Sequence, residues 1–228
     1  MSDFSDISVI IPVREGSSRI KSKIFLPFHE QMSLLEWKID QLKKVQSPDK
    51  IFISSNSDRV KAIAQELNLG FLARSEYLSV GHQASFNEVI TGIVQKIPTQ
   101  HFAWVTVVVP LMKPSEYREA FELYLDKVVE QKTHDSLVSV NLLKEYFWDD
   151  QGPINYQANK NHTISQDLPN IYRVTNGLYM RSKADTLEDE YFLGPNPYRY
   201  QVSKMSGVDI DEYEDYQVAL ALKHFYHE

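Results

Sequence analysis

The architecture of this chain follows from its first apolar run, Ile7-Ser8-Val9-Ile10-Ile11-Pro12-Val13. The run is short and nearly continuous, and a polar loop comes directly after it. Such a run is typical of a strand that is buried on both faces of a parallel sheet. We therefore predict a central strand here, with the following loop at the carboxyl edge of the sheet, where open α/β sheets bind their ligands.

Apolar segments of helical and strand-like character alternate along the rest of the chain. Residues 33–45 carry apolar side chains at helical spacing and residues 50–54 form the next apolar run, which gives a β-loop-α-β unit. The alternation continues, and it predicts an α/β fold with a mostly parallel, doubly wound sheet. Further predicted helices cover residues 58–67, 83–96, 114–130 and 211–226, and further predicted strands cover residues 70–72, 103–109, 136–140, 173–180 and 198–203.

One segment breaks the alternation, from residue 146 to residue 169. It is rich in Asn, Gln, Asp and Tyr, and it is too long for an ordinary connection inside a compact domain. We predict that it forms either an extra arm or a functional loop. The 228 residues otherwise suit one α/β domain with a well-buried core, so we expect a single domain over residues 1–228.

The composition argues against several classes of function. The formal net charge is −7, which argues against a surface that binds nucleic acid or an anionic membrane. No cysteine is present, so disulfides, thiolate metal sites and cysteine nucleophiles are all ruled out. Residues 1–6 lack the features of a signal peptide, and no apolar run approaches the ~20 residues that span a bilayer. We expect a cytoplasmic protein.

The loop after the first predicted strand concentrates positive charge. It reads Arg14-Glu15-Gly16-Ser17-Ser18-Arg19-Ile20-Lys21-Ser22-Lys23, with four cations and three hydroxyls in ten residues. Hydroxyls, amides and cations bind phosphate oxygens and neutralise the charge that develops in phosphoryl transfer. The pattern of the ATPase P-loop is absent. This segment is therefore either a triphosphate-binding loop or a solvated basic loop.

Two carboxylates stand one residue apart in Gly207-Val208-Asp209-Ile210-Asp211, just before the last predicted helix. On an extended segment they point the same way, which suits a hard cation such as magnesium held by carboxylates, waters and phosphate oxygens. The alternative is a helix cap, supplied by Asp211, beside an exposed acid.

A third polar series runs from Ser165 to Tyr179 and reads Ser-Gln-Asp-Leu-Pro-Asn-Ile-Tyr-Arg-Val-Thr-Asn-Gly-Leu-Tyr. Gln, Asn, Arg and Tyr are residue types expected around a polyhydroxylated acidic sugar, with arginine available for the carboxylate. Taken alone, these residues are also ordinary members of a loop and a strand.

These three segments, in their order along the chain, resemble the acylneuraminate (CMP-nonulosonate) cytidylyltransferase family, nearest to the synthetases that activate sialic, legionaminic and pseudaminic acids. The basic loop resembles the family signature Arg-x-Gly-Ser-Lys-Arg-Ile-x-x-Lys, and the resemblance extends from Ile7 to about His224. It implies a Rossmann-like nucleotide-diphospho-sugar transferase fold and a homodimer in which an arm at about residues 146–172 reaches into the second subunit. The implied reaction is magnesium-dependent transfer of CMP from CTP to the anomeric hydroxyl of an acidic nine-carbon sugar. It releases pyrophosphate, and its product would feed the synthesis of cell-surface glycans.

The resemblance also implies roles for individual residues. Asn56 and Arg74 each follow a predicted short strand and occupy weaker matches to the family, where they would contact CTP. The implied nucleotide-binding residues are Arg14, Ser17, Arg19, Lys23, Asn56 and Arg74, the implied sugar-binding residues are Gln166, Tyr172, Arg173 and Asn176, and the implied magnesium ligands are Asp209 and Asp211. Of these, Arg14, Lys23 and Asp211 would act in catalysis.

Four positions depart from the family pattern. Ser18 stands where acylneuraminate-type enzymes commonly have lysine, and Gly81 replaces an aspartate. Thr106 and Met112 replace a glutamine and an arginine in the segment after the most apolar strand. These departures leave two alternatives open. One is a family member that keeps the nucleotide pocket but has lost turnover, and the other is a Kdo-type cytidylyltransferase, which has a hydroxyl residue where Ser18 stands.

Overall fold

A computed structural model describes residues 3–14, 16, 19–79 and 83–226. Its helices and strands alternate along the chain, as the sequence predicts. The strands are β1 (Ile7–Pro12), β2 (Pro27–His29), β3 (Met32–Ser33), β4 (Ile51–Ser55), β5 (Gly70–Ala73), β6 (His101–Val105), β7 (Ser136–Leu143), β8 (Trp148–Asp149), β9 (Gly152–Pro153), β10 (Ile171–Ser182) and β11 (Pro197–Gln201). The α-helices are α1 (Leu34–Lys43), α2 (Asp58–Glu66), α3 (Phe86–Val94), α4 (Pro114–Tyr124), α5 (Lys183–Asp189) and α6 (Tyr213–Leu222).

Seven strands form one sheet in the order β11-β7-β10-β6-β1-β4-β5. Strand β1 lies inside it, parallel to β4 and β6, and Val9, Ile10 and Ile11 are fully buried. Only β10 runs antiparallel to its neighbours β6 and β7, while β11 is parallel to β7. The predictions of a central first strand and a mostly parallel α/β sheet are confirmed.

Helices cover both faces of this sheet. One apolar cluster joins β1 to α1, α2, α4 and α6, and a second cluster on the other face joins the sheet to α3. Helix α1 starts at Ser33 because Ser33 and Glu36 form a reciprocal capping box, which satisfies two backbone donors at the helix start. No helix in the described part of the chain combines the length and the apolar character that crossing a bilayer requires.

Several element boundaries differ from the prediction. Strand β6 ends at Val105 rather than at residue 109, because the turn at residues 107–112 leaves the sheet. Side chains of α1 hold that turn. Trp37 Nε1 and Gln41 Nε2 donate to the Pro110 carbonyl at 2.8 and 2.9 Å, and Lys38 Nζ donates to the Val109 carbonyl at 2.8 Å.

The last helix does not start with Asp211. Its N-cap is Glu212, which forms a capping box with Asp215, and the Asp215 carboxylate also accepts from the Asp211 amide at 3.0 Å. The interpretation of Asp211 as the helix cap is therefore wrong. Because another residue caps the helix, the Asp211 carboxylate remains available outside it.

The irregular segment after β7 contains little regular structure. It contains the two-residue strands β8 and β9 and a short 3₁₀ turn at Ser165–Asp167. Tyr146, Tyr156 and His162 pack their rings together in this segment. Trp148 and Ile154 nearby are about 60% exposed, so the segment leaves large apolar side chains in solvent.

Candidate active site

A pocket of about 570 Å³ opens at the carboxyl edge of the sheet, where the ends of β1 and β6 lie next to each other. Five separate segments supply its polar lining. They are the loops after β1, β5 and β6, the middle of β10 and the segment before α6. The polar residues that line the pocket include, in the same order, Arg14, Arg74, Thr106, Asn176, Asp209 and Asp211.

Two guanidinium groups make one end of the pocket cationic. The Arg74 guanidinium donates to the Val13 carbonyl, and the Arg74 backbone is fixed by a 2.9 Å hydrogen bond to Ser55. Burial, and secondly the charge of Arg14, lower the pKa of Arg74 to about 10. Its buried Nε atom has no partner among the described residues. Arg74 is partly removed from water and Arg14 is exposed beside it, so the two like charges favour an anion between them.

Two carboxylates mark another part of the pocket, and their surroundings differ. Asp211 is about half exposed, and its Oδ1 atom lies 3.1 Å from Arg19 Nη2 and 3.9 Å from Lys23 Nζ. Asp209 is more deeply placed, and its Oδ2 atom accepts a 2.8 Å hydrogen bond from Asn176 Nδ2. Burial raises the pKa of Asp209, and the bond from Asn176 opposes that rise.

Lys23 lies behind the carboxylates and is buried. Its ammonium donates to the backbone carbonyls of Ile210 and Asp211, the latter at 3.2 Å, and so fixes the segment that carries both acids. Burial lowers the pKa of Lys23, and the charges of Asp211 and Asp209 counteract this. The Ile210 amide also donates to the Val108 carbonyl at 2.9 Å, which joins this segment to the turn after β6.

The donor set fits a magnesium ion. The Oδ1 atom of Asp209 is buried and has no hydrogen-bond partner among the described residues. No group of three or more His, Cys, Asp or Glu side chains suited to a metal occurs in that part of the chain. Magnesium does not need such a group, because it is usually held by one or two carboxylates together with waters and substrate phosphates.

An apolar wall completes the pocket. Phe192 packs against Tyr179 at 4.2 Å and against Trp104 at 5.7 Å between ring centroids. The buried Arg181 donates to the carbonyls of Tyr191 and Leu193, so the peptide groups on both sides of Phe192 are fixed. The apolar lining includes Leu78, Phe86, Val89, Trp104, Tyr179 and Phe192.

Several predicted site residues lie elsewhere. Asn56 and Gln166 are exposed and do not line the pocket, and the Tyr172 ring lies under the guanidinium of Arg199. Arg173 donates to Asn141 Oδ1 at 2.7 Å and to the Gly207 carbonyl at 3.1 Å, so it supports the segment before the carboxylates. Gly207 allows this packing, because a Cβ there would lie 2.3 Å from Asn141 Oδ1.

The departures from the family pattern have different surroundings. Met112 is fully buried in the core and does not line the pocket. Thr106 does line it, and its hydroxyl donates to the Asn176 carbonyl at 2.7 Å. Ser17, a predicted phosphate contact, and the departures Ser18 and Gly81 lie outside the described residues.

Sequence reasoning missed the apolar wall. Trp104 and Phe192 are far apart in the sequence, and neither belongs to a recognisable motif. Tyr179 closes the Asn-Gly-x-Tyr series, which was the one signal that pointed to this part of the pocket.

Comparison with known proteins identifies the family of this chain. A family model described as cytidylyltransferase matches residues 8–224. This chain belongs to the cytidylyltransferase family. N-acylneuraminate cytidylyltransferase of Streptococcus agalactiae serotype V is 27% identical over 216 residues, and the match covers 91% of this chain and 51% of that protein. The protein of the same name from Escherichia coli O18:K1:H7 is 23% identical, with 95% of this chain and 52% of that protein covered. The family resemblance inferred from the sequence is confirmed.

The chain thus spans about half the length of the curated relatives it matches. Solved structures of cytidylyltransferases share its fold. The CMP:2-keto-3-deoxy-manno-octonic acid synthetase in complex with CTP has a TM-score of 0.68 at 14% identity, covering 96% of this chain and 99% of that one. The 4-diphosphocytidyl-2C-methyl-D-erythritol synthase of Anaerococcus prevotii has a TM-score of 0.62 at 14% identity, covering 96% of both chains. The Rossmann-like fold of the nucleotide-sugar transferases, which the resemblance implies, is confirmed.

Proposed function

We propose that this chain transfers CMP from CTP to the anomeric hydroxyl of a sialic-acid-like nonulosonate, an acidic nine-carbon sugar, and releases pyrophosphate. The observation that carries the proposal is the single pocket in which two arginines and two carboxylates lie together at the carboxyl edge of the sheet. The negative phosphates of a nucleoside triphosphate would bind the positively charged arginines. A divalent cation bound to that triphosphate would bind the negatively charged carboxylates.

Three arginines would bind the phosphates, and a buried lysine would support the site. Arg14 and Arg74 line the pocket, and an anion between them would offset both the burial of Arg74 and the charge of Arg14, which together lower the pKa of Arg74. Arg19 is paired with Asp211, so it can move to the phosphates when a cation takes over the charge of that carboxylate. Lys23 stays buried and keeps the carboxylate segment in place.

Asp209 and Asp211 would hold Mg²⁺. When bound, this ion neutralises charge on the triphosphate and on the pyrophosphate leaving group. The half-exposed carboxylate of Asp211 accepts a hydrogen bond from the anomeric hydroxyl and so orients its oxygen for attack. In the reaction a bond forms between that oxygen and the α-phosphorus, the hydroxyl proton passes to the Asp211 carboxylate and from there to solvent, and the bond from the α-phosphorus to pyrophosphate breaks.

The apolar wall favours a nonulosonate as the acceptor. The wall has one side-chain group that can hydrogen-bond to a hydroxyl, the indole N–H of Trp104, among the side chains of Phe86, Val89, Trp104 and Phe192. The Tyr179 hydroxyl donates to Asn176 Oδ1 at 2.7 Å, so its donor is already used. Acylamino and methyl substituents, which sialic-acid-like sugars carry, would pack on such a wall better than a chain of hydroxyls.

A Kdo-type activity is the second candidate. It is supported by the TM-score of 0.68 with the synthetase of an eight-carbon acid, although 14% identity establishes the fold alone. The two candidates differ in the acceptor sugar, and they share CTP and magnesium.

The test is pyrophosphate release with CTP and Mg²⁺ across a panel of acidic sugars. N-acetylneuraminic, legionaminic and pseudaminic acids represent the nonulosonates, Kdo represents the alternative, and ATP, GTP and UTP are the controls. We expect release with CTP and a nonulosonate at a rate well above that with Kdo. Release with Kdo alone would replace the proposal by the second candidate. CTP binding without release from any sugar would indicate a family member that has lost turnover.

We also propose that the chain forms a homodimer through the segment at residues 146–172. Its large exposed apolar side chains support this, because Trp148, Ile154 and Ile164 are each more than half exposed. Sedimentation equilibrium should give twice the mass of the chain. A Trp148→Glu change should shift the equilibrium towards monomer, and a monomeric unaltered protein would refute the proposal.

A further inference from the structure

We infer that Asn176 is a positioning residue for the metal-binding carboxylate of Asp209, and that Thr106 and Tyr179 hold Asn176 in place. The inference rests on the proposed function, because it assumes that Asp209 binds Mg²⁺. It differs from the expectation that Asn176 contacts the sugar. The observations that carry it are a bulge in β10 and three hydrogen bonds that converge on one residue.

The bulge interrupts the pairing of β10 with β7. Their register shifts between Val174 and Tyr179, and Asn176 has a φ of 59° in the left-handed region. Asparagine tolerates this region better than most residues, and a bulge re-aims the side chains that it carries. Gly177 allows the bulge to pack tightly on the turn after β6, because a Cβ there would lie 3.2 Å from Val109 Cγ1. The residue types at positions 176 and 177 therefore both suit the backbone conformation of the bulge.

Each end of Asn176 has a partner. The Nδ2 atom donates to Asp209 Oδ2 at 2.8 Å, and the Oδ1 atom accepts from the Tyr179 hydroxyl at 2.7 Å. A carboxylate only accepts, so the amide must turn its NH₂ group towards Asp209. The Thr106 hydroxyl fixes the backbone of the same residue by donating to the Asn176 carbonyl at 2.7 Å.

This network decides which oxygen of Asp209 is free. The Oδ2 atom is occupied by Asn176, and the buried Oδ1 atom is left without a partner among the described residues. Asn176 is neutral, so it orients the carboxylate without cancelling its charge. The contrast is Asp211, which has Arg19 and Lys23 beside it. Thr106, which departs from the family pattern, thus helps to hold Asn176 in place.

Manganese binding tests the inference without depending on turnover. Mn²⁺ replaces Mg²⁺, and free Mn²⁺ is measured by electron paramagnetic resonance in the presence of CTP and without any sugar. We expect Asn176→Gly, which tolerates the left-handed backbone but lacks the amide, to bind Mn²⁺ at least about tenfold more weakly, as is typical for residues that orient metal ligands. Tyr179→Phe and Thr106→Val should weaken binding in the same direction by smaller factors.

Thr186→Val is the matched control. Thr186 is buried in α5, its hydroxyl has no partner among the described residues, and it does not line the pocket, so this change should leave Mn²⁺ affinity unaltered. Circular dichroism checks that each variant is folded, and Tyr179→Phe serves if Asn176→Gly is not. Unchanged Mn²⁺ affinity in folded Asn176→Gly and Tyr179→Phe, with a higher KM for the sugar, would overturn the inference and return Asn176 to the sugar. Failure of the unaltered protein to bind Mn²⁺ with CTP would instead overturn the proposed metal site, and the inference with it.

Discussion

The pocket and the layer of chain directly behind it differ in how their polar groups are satisfied. In the pocket, Asp209 Oδ1 and Arg74 Nε are buried without a partner among the described residues. Behind it, α1 donates to the turn at residues 107–112, where the Nε2 atom of Gln41 bonds both the Pro110 and the Met112 carbonyl at 2.9 Å. Among those α1 side chains, only the Oε1 atom of Gln41 is buried without a partner in the part of the chain that the structure describes.

This difference shows which part of the molecule is prepared for a ligand. A buried polar atom without a partner costs free energy, so a folded chain keeps one where a ligand will satisfy it or where the cost is offset elsewhere. The layer behind the pocket has its carbonyls bonded, so it can act as a rigid support. Changes in the pocket should therefore affect activity more than stability, and changes in the supporting layer should do the reverse.

The largest effect is expected from Asp209→Asn. The amide keeps the shape of the side chain and can still accept from Asn176, but it removes the charge that would hold Mg²⁺. We expect turnover to fall by roughly a thousandfold, the loss typical of a group that stabilises the transition state. The unfolding temperature should stay the same or rise, because a partly buried charge is removed. Pyrophosphate release and thermal unfolding measure both.

Asp40→Asn is the control for this change, because Asp40 forms an exposed ion pair with Lys44 on α1. Asp40→Asn should alter neither turnover nor the unfolding temperature. If Asp209→Asn kept full turnover, or if it lost stability together with turnover, the contrast between pocket and support would fail.

A smaller effect on binding is expected from Arg14→Gln. Arg14 is exposed and lines the cationic end of the pocket, so its loss should not disturb the fold. Hydrogen bonds to charged groups contribute about 1.5–3 kcal/mol, so CTP affinity should fall about 10-fold to 100-fold by calorimetry. Arg118→Gln, on the surface of α4, is the matched control and should bind CTP like the unaltered protein. Equal CTP affinity in Arg14→Gln would remove this residue from the site.

The smallest effect on turnover is expected from Lys38→Met, in the supporting layer. Lys38 is fully buried, and it donates to Val109 and to the Tyr117 hydroxyl. Burial lowers the pKa of Lys38 from 10.5 to about 7. Between these two values the unfolded chain holds a proton that the folded chain has released, so stability should rise with pH across that window.

The upper limit of this gain is about 1.4 kcal/mol for each pH unit. Urea unfolding at a series of pH values should show the rise in the unaltered protein and a smaller one in Lys38→Met, while turnover changes by no more than about threefold. The same pH profile in both proteins would contradict the account of Lys38.

The sheet and the position of the charged residues of the pocket could be predicted from the sequence. Buried parallel strands are continuous apolar runs, so β1 and the alternation after it are visible in one dimension. Arg14 and Asp209 could be predicted because each lies in a short polar segment beside a strand or a helix. The carboxyl ends of neighbouring parallel strands meet at one edge, which brings such segments together.

The rest of the site depends on contacts that a sequence does not display. Successive side chains of a strand point to opposite faces, so Tyr172, Arg173 and Asn176 cannot all face the same pocket. The bulge of β10 then changes which of these side chains face the pocket. The apolar wall needs Phe192 from a loop beside Trp104 from a strand, and only the folded chain brings these together.

A crystal structure with CTP and Mn²⁺ would test the central claim most directly, because the anomalous signal of manganese locates the metal. The account predicts a metal peak about 2.1 Å from Asp209 Oδ1, with the triphosphate against Arg14 and Arg74. A metal bound away from Asp209 and Asp211, or a nucleotide outside this pocket, would contradict it.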